Sequence, residues 1–236
     1  ARFMARAGFD WLTIDSEHSL VNIETTTHML GAIADAGCTA LVRVPSNRHD
    51  HIKRVLDNGA HGVVVPMVNS RAEAQAAVAA MHYPPRGNRS VGGSVHALNF
   101  GCTAGEYYAK ANDELIVVLQ CEHIDAVRDA EAIFSVPGID AIFVGPNDLA
   151  ASMRSPDGKP PSPDATREAM KHILDTCRKC KVAAGVHCTL PEEARQRIEE
   201  GWQFIAIGSE LKMMLDGVQS VRKGLGEAGK GDLARY

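Results

Sequence analysis

The feature that most constrains this chain is a unit that recurs from residue 11 to residue 208: a short apolar run, a break, then an amphipathic stretch of helical period. The runs fall at residues 11–15, 40–44, 62–66, 115–120, 141–145, 182–186 and 204–208. Most are unbroken and rich in β-branched residues, the pattern of parallel strands covered on both faces. Helical period is read at 23–36, 49–58, 71–81, 126–134, 165–180 and 191–200. Several of these stretches stop at a glycine, as in Ala36-Gly37, Asn58-Gly59 and Glu200-Gly201, where a left-handed residue closes a helix.

Strand–helix alternation over this length means either a doubly wound sheet or a (β/α)8 barrel. Seven strands are counted, and residues 1–7 read as a helix. One further strand upstream of that helix, outside or missing from this chain, brings the count to the eight of a barrel. Neither a G-x-G-x-x-G turn after a strand nor a phosphate-binding Walker loop occurs, which weakens the doubly wound nucleotide-binding alternative. Two segments have no clean period, 84–111 and the proline-rich 152–163, and both follow strand ends. Long loops there are often functional, because barrel enzymes build their sites at the C-terminal ends of the strands.

Composition bounds the function. The 236 residues suit one large α/β domain or two small ones, and a net charge of −4 offers no basic field to nucleic acid or acidic lipid. No apolar run approaches the ~18 residues of a membrane span. Six cysteines are scattered through strands and helices, with Cys177 and Cys180 spaced C-x-x-C on a helical pattern and no redox context. They read as free thiols in a reducing compartment, and with no secretory leader pattern a cytoplasmic location is expected.

If the strands are parallel, their C-terminal ends share one rim, and ionisable groups gather there. The first strand ends in Asp15-Ser16-Glu17-His18, the second in Arg43, and the fourth in Gln120-Cys121-Glu122-His123. The fifth runs into Gly145-Pro146-Asn147-Asp148, the sixth into His187-Cys188, and the seventh into Gly208-Ser209-Glu210. Glu122 and Asp148, with Gln120 beside them, suit a hard divalent ion; each also suits the start of a helix. Arg43 closes an apolar run, where a guanidinium needs an anion: a substrate oxygen, or Asp15 or Glu17 as a structural pair. His18 is either a general base or a solvated rim histidine.

The segments AGFDWLTIDSEHS, LVRVPSN, IKRVLDNGAHGVVVPMVNSRAEA, HYPPRGNRSVGG, VLQCEHIDAV, GIDAIFVGPNDLAAS and EEGWQFIAIGSEL resemble, in order, the HpcH/HpaI aldolase family. These are metal-dependent class II pyruvate aldolases acting on substrates such as 4-hydroxy-2-oxoheptanedioate or 2-keto-3-deoxy sugar acids. Citrate lyase β-subunits and macrophomate synthase are relatives. The resemblance implies a (β/α)8 TIM barrel of the phosphoenolpyruvate/pyruvate type spanning 1–236, whose C-terminal segment from about residue 210 is exchanged with a neighbouring subunit. It implies a homo-oligomer, a hexamer built as a trimer of dimers.

By the same resemblance Glu122 and Asp148 hold Mg2+, Mn2+ or Co2+, and Gln120 contacts substrate or water. Arg43 donates to the keto or enolate oxygen, and His18 with a water moves the proton. Asp57, from a neighbouring subunit, orients that histidine, while Asp15 steadies the rim. The amides of Asn147 and Asp148 receive the pyruvate carboxylate. The implied reaction is reversible cleavage of a 4-hydroxy-2-oxo acid to pyruvate and an aldehyde, and no strand ends in the lysine a Schiff-base aldolase needs. Arg89-Ser90, residues 95–98 and the proline-rich segment are where this chain departs from many relatives, and they are expected where the aldehyde approaches. Oxaloacetate decarboxylation and lysis of an acyl-CoA are the alternatives within the superfamily. A non-catalytic barrel used for binding or assembly is the alternative of another class.

Overall fold

Seven strands form one parallel sheet whose spatial order is their chain order. They are β1 (Trp11–Asp15), β2 (Thr39–Arg43), β3 (Gly62–Val65), β4 (Ile116–Gln120), β5 (Ala141–Val144), β6 (Ala183–Cys188) and β7 (Phe204–Ile207). The structure is a computed structural model describing residues 1–226; the expected C-terminal exchange falls partly on residues 227–236, outside the described residues. Eleven α-helices are described, from α1 (Ile23–Ala34), α2 (His49–Asp57) and α3 (Arg71–Met81) to α4 (Val95–Asn99) and α5 (Ala104–Glu114). Then follow α6 (Ile124–Arg128), α7 (Ala130–Phe134), α8 (Pro146–Ser152), α9 (Pro163–Cys180), α10 (Pro191–Glu200) and α11 (Glu210–Gly224).

Register gives the sheet its curl. Asp15, the last residue of β1, pairs Arg43, which pairs Val64, then Val118, then Ala141, the first residue of β5. That drift from strand end to strand start is the stagger of tilted barrel strands. The curl brings the outer strands face to face: Trp11 of β1 stacks on Phe204 of β7 with ring centroids 4.3 Å apart. Among the described residues the sheet has seven strands, and β1 and β7 are not paired with each other. The eighth strand expected from the sequence is not among them.

Alternate residues serve two cores. Outward side chains such as Val42, Val63, Val65, Leu119, Ile142 and Val186 pack under the helices. Inward ones form a second cluster of Val64, Val118 and Ala141, with Ile116, Phe143, Ala183 and Phe204 against it. Local chemistry stops the helices where the sequence predicts, with Gly59 (φ 94°) after α2 and Gly201 (φ 98°) after α10.

Three expectations are corrected. The segment 84–111 is not irregular throughout, because α4 and α5 lie within it. The start of α5 carries a capping box: Thr103 accepts from the Glu106 amide while Glu106 accepts from the Thr103 amide. The opening helix is only a 3-10 turn at Met4–Arg6, and the helix expected at 126–134 breaks at Asp129 into α6 and α7.

Inward aromatics need a gap opposite them. A Cβ on Gly185 would lie 2.8 Å from the Phe204 carbonyl oxygen and 3.0 Å from both the Phe143 and Phe204 rings. Gly185→Ala is expected to lower the unfolding free energy by about 1–3 kcal/mol through overpacking, read from the urea midpoint.

Candidate active site

Above the Phe143, Phe204 and Trp11 rings, the inner residues turn polar. Arg43 ends β2 and grips Asp15 of β1 with two bonds, Nε to Oδ1 at 2.9 Å and Nη2 to Oδ2 at 2.6 Å. Its Nη1 lies 3.2 Å from Glu17 Oε2. Burial works against the Asp15 carboxylate, but Arg43 and the amides of Glu17 and His18 hold its pKa below the usual range. The ion pair that the sequence left as an alternative for Arg43 is therefore formed. A guanidinium has five N–H groups, so this fork leaves donors for a third acceptor.

Glu122 and Gln120 are buried at the end of β4. The Gln120 amide Nε2 donates to Glu122 Oε2 at 2.6 Å, and the Met67 backbone N–H donates to Oε1 at 2.9 Å. Met67 itself has a left-handed backbone (φ 52°). Desolvation pushes the Glu122 carboxyl up to about 7; the Met67 bond opposes this, the Glu17 and Asp148 charges add to it, and Arg43 offsets part. Asp148 sits in the first turn of α8, and Gly145 separates the two carboxylates. A Cβ on Gly145 would lie 2.9 Å from Glu122 Oε2 and 3.6 Å from Asp148 Oδ2.

Three carboxylates (Asp15, Glu17, Glu122) act on one guanidinium and Asp148 acts on two of them, an excess of negative charge that suits a divalent cation. Gln120 Oε1 is buried with no hydrogen-bond partner. A hard cation takes oxygen donors and keeps waters, so Glu122, Asp148 and this orphaned oxygen fit one. Among the described residues no group of three or more His, Cys, Asp or Glu is arranged as a complete protein cage. Two carboxylates with open positions are the arrangement expected where substrate fills the shell.

His18 lies beyond Asp15 on the exposed rim, with Nε2 3.8 Å from Glu17 Oε2. Asn147 and Asp148 occupy the first turn of α8, where amides have no acceptor within the helix. Asp57 does not join these residues within one chain. It closes α2, beside the start of β3, at the opposite end of the strands, and is held by Arg89 Nη2 at 2.8 Å. Arg89, expected near the aldehyde, is fully buried beneath Tyr83 and Tyr107. The sequence reading gave Glu17 and the Met67 amide no function at the metal pair: the first looked like a support, and a methionine amide carries no motif.

Residues 1–217 match the family model described as HpcH/HpaI aldolase/citrate lyase. A hydroxypyruvate/pyruvate aldolase of Chromohalobacter salexigens is 36% identical over 214 residues, 91% of this chain and 84% of that protein. A 5-keto-4-deoxy-D-glucarate aldolase of Escherichia coli is 36% identical over 215 residues, 91% and 83% of the two chains. The crystal structure of a family protein from Burkholderia cenocepacia superposes with TM-score 0.84 at 30% identity, covering 96% of this chain and 89% of that one. The chain belongs to the HpcH/HpaI aldolase/citrate lyase family and is a lyase of the aldolase kind.

In cation-free protein the Glu122 carboxyl is expected to titrate near pH 7 by carboxyl carbon NMR. Glu17→Gln removes a neighbouring negative charge and is expected to move that midpoint down. An unmoved midpoint would show that the Glu17 charge does not act on it.

Proposed function

We propose that this family member is a divalent-metal-dependent aldolase that cleaves a 4-hydroxy-2-oxo acid, reversibly, to pyruvate and an aldehyde. The observation that carries the reading is the buried Glu122, held by Gln120 and the Met67 amide beside Asp148, with Arg43 facing it. Glu122 and Asp148 hold Mg2+, Mn2+ or Co2+, with Gln120 Oε1 turned to a water or to substrate. Such a cation, when bound, supplies Lewis-acid stabilisation of the negative charge on the keto oxygen.

The remaining work falls to the chain's own groups. The amides of Asn147 and Asp148 bind the pyruvate carboxylate at the start of α8. His18, acting through a water, takes the proton of the 4-hydroxyl. As the C3–C4 bond breaks, its electron pair passes to the oxo carbon's oxygen, and Arg43 donates an N–H to that developing charge. Proton return to C3 completes pyruvate. The Asp15–Arg43 fork keeps the guanidinium in place, so little reorganisation accompanies the charge movement.

A keto-deoxy sugar acid, the class named for the Escherichia coli relative, is the substrate class proposed here. An acyl-CoA lyase is disfavoured because the arginines of the 84–111 segment are engaged away from the rim. Arg86 pairs with Asp113, and Arg89 is buried against Asp57. The barrel is proposed to be closed by an eighth strand between β7 and β1.

The working assembly is proposed to be a homo-oligomer, a trimer of dimers, because Asp57 can approach His18 only from another copy. Along α11, Leu211, Met214, Val218 and Val221 are exposed, and none of its residues is buried, which suits an exchanged helix.

Two experiments test this. Protein given Mn2+ and a racemic 4-hydroxy-2-oxo acid is expected to release pyruvate, followed through lactate dehydrogenase, and EDTA is expected to stop it. Asp148→Asn should lower turnover at least as much as the loss of a residue supporting a metal ligand, about 10–100-fold, with unchanged circular dichroism. Separately, His18→Ala and Asp57→Ala are each expected to be impaired, and mixed oligomers of the two to recover activity that neither has alone. No recovery after subunit exchange would place Asp57 outside the site.

A further inference from the structure

The inner face of β6 carries Ala183, Gly185 and His187 in turn, so His187 stands at the C-terminal rim, one layer above the Phe143 and Phe204 rings. Its register partner on β7 is Ala206, and the next inner position there is Gly208. Neither carries a side chain long enough to cover the imidazole. On the other side, continuation of the β5–β6 register puts Gly145 beside it, the residue that separates Glu122 from Asp148. Arg43, across the barrel mouth, is within electrostatic reach of the ring. His187 is therefore a polar side chain on the wall of the site, set among residues that leave space in front of it. Cleavage as described above gives it no task.

The ring's protonation is readable. The Gly208 backbone hydrogen-bonds it in the sense that favours a ring proton, and the Gly208 N–H is already used, donating to the Cys188 carbonyl at 2.8 Å. The Gly208 carbonyl is thus the acceptor and one ring N–H the donor. Burial pulls the ring below its usual pKa; Gly208 and Glu193 oppose this and Arg43 adds to it, leaving the ring neutral at pH 7. A neutral imidazole that donates through one nitrogen presents the other as an acceptor. Among the described residues no side chain hydrogen-bonds that ring.

We propose that His187 selects the aldehyde half of the substrate, accepting a hydrogen bond from a hydroxyl on the carbon next to the aldehyde carbonyl. The preferred acceptors are 2-hydroxyaldehydes. An aldehyde bearing hydrogen in place of that hydroxyl leaves the imidazole nitrogen unpaired, and one bearing a carboxylate there offers it no proton. The assignment rests on the pyruvate aldolase reading and adds to it a specificity-determining residue.

The test uses the Mn2+-loaded full chain with pyruvate and either glycolaldehyde or acetaldehyde, which differ only by the hydroxyl. Wild type is expected to favour glycolaldehyde in kcat/KM. His187→Leu should reduce the ratio of the two kcat/KM values by up to about tenfold, the worth of one such hydrogen bond. His187→Gln, which keeps an acceptor oxygen, should retain most of the preference. Because each variant is scored by a ratio, a general loss of activity cancels. Wild type and His187→Leu giving the same ratio would overturn the assignment. So would loss of Mn2+ binding in His187→Leu by electron paramagnetic resonance, since the imidazole would then be a metal ligand. A wild type that makes no aldol product with either aldehyde would instead overturn the aldolase reading, and this assignment with it.

Discussion

Everything at the site depends on strands that pair in phase while drifting along their length. Because Asp15 pairs Arg43 and Arg43 pairs Val64, every inward residue meets an inward neighbour, and polar ends meet polar ends. A slip of one residue in β2 would turn Arg43 outward among the helices and leave Asp15 and Glu17 without their cation. Losing one partner of a fully buried pair costs about 3–5 kcal/mol, and this partly exposed pair costs less. The outer core resists the same slip, since Ala40 and Val42 would leave it and enter the barrel. Stability and site geometry therefore enforce the same register.

The second dependence is electrostatic. Desolvation raises the Glu17 and Glu122 carboxyls, and each also feels the Asp148 charge. Arg43 balances Asp15 directly but only partly offsets the others. The strain is concentrated where Gly145 lets Glu122 and Asp148 approach. A buried Glu122 with Asp148 and Glu17 close by calls for a positive partner, and the oxygen donors on offer suit a hard cation over a soft one.

Most of the architecture was legible because continuous β-branched runs and helical period are local signals. β1 begins and ends where the sequence predicts, and so do α3 and α10. Helices α4 and α5 were missed because glycines and prolines just upstream dominate the reading of 84–111, although Thr103 and Glu106 spell a capping box. The ionisable side chains of the site were readable as strand endings, and the resemblance supplied their expected roles. The Met67 amide was not, because a backbone N–H carries no sequence motif and its bond to Glu122 forms only across the fold. Arg89 was misplaced for a related reason: only the tertiary packing of Tyr83 and Tyr107 shows that its charge is buried against Asp57.

The two sides of the barrel mouth are built differently, and the difference matches the two halves of an aldol. From β1 to β4 the inner rim carries Asp15, Arg43, Gln120 and Glu122, long polar groups that fix one another. From β5 to β7 it carries Gly145, His187, Ala206 and Gly208, where small residues leave room and one imidazole stands alone. Charge that develops during bond cleavage needs preorganised donors, which requires the crowded side. An acceptor that must enter, turn and leave needs volume more than fixed charge, which the small side provides. Changes at His187, Ala206 and Gly208 should therefore alter which aldehyde is used, whereas changes at Asp15, Arg43, Gln120 and Glu122, or at Asp148 beyond β5, should alter whether the bond breaks at all.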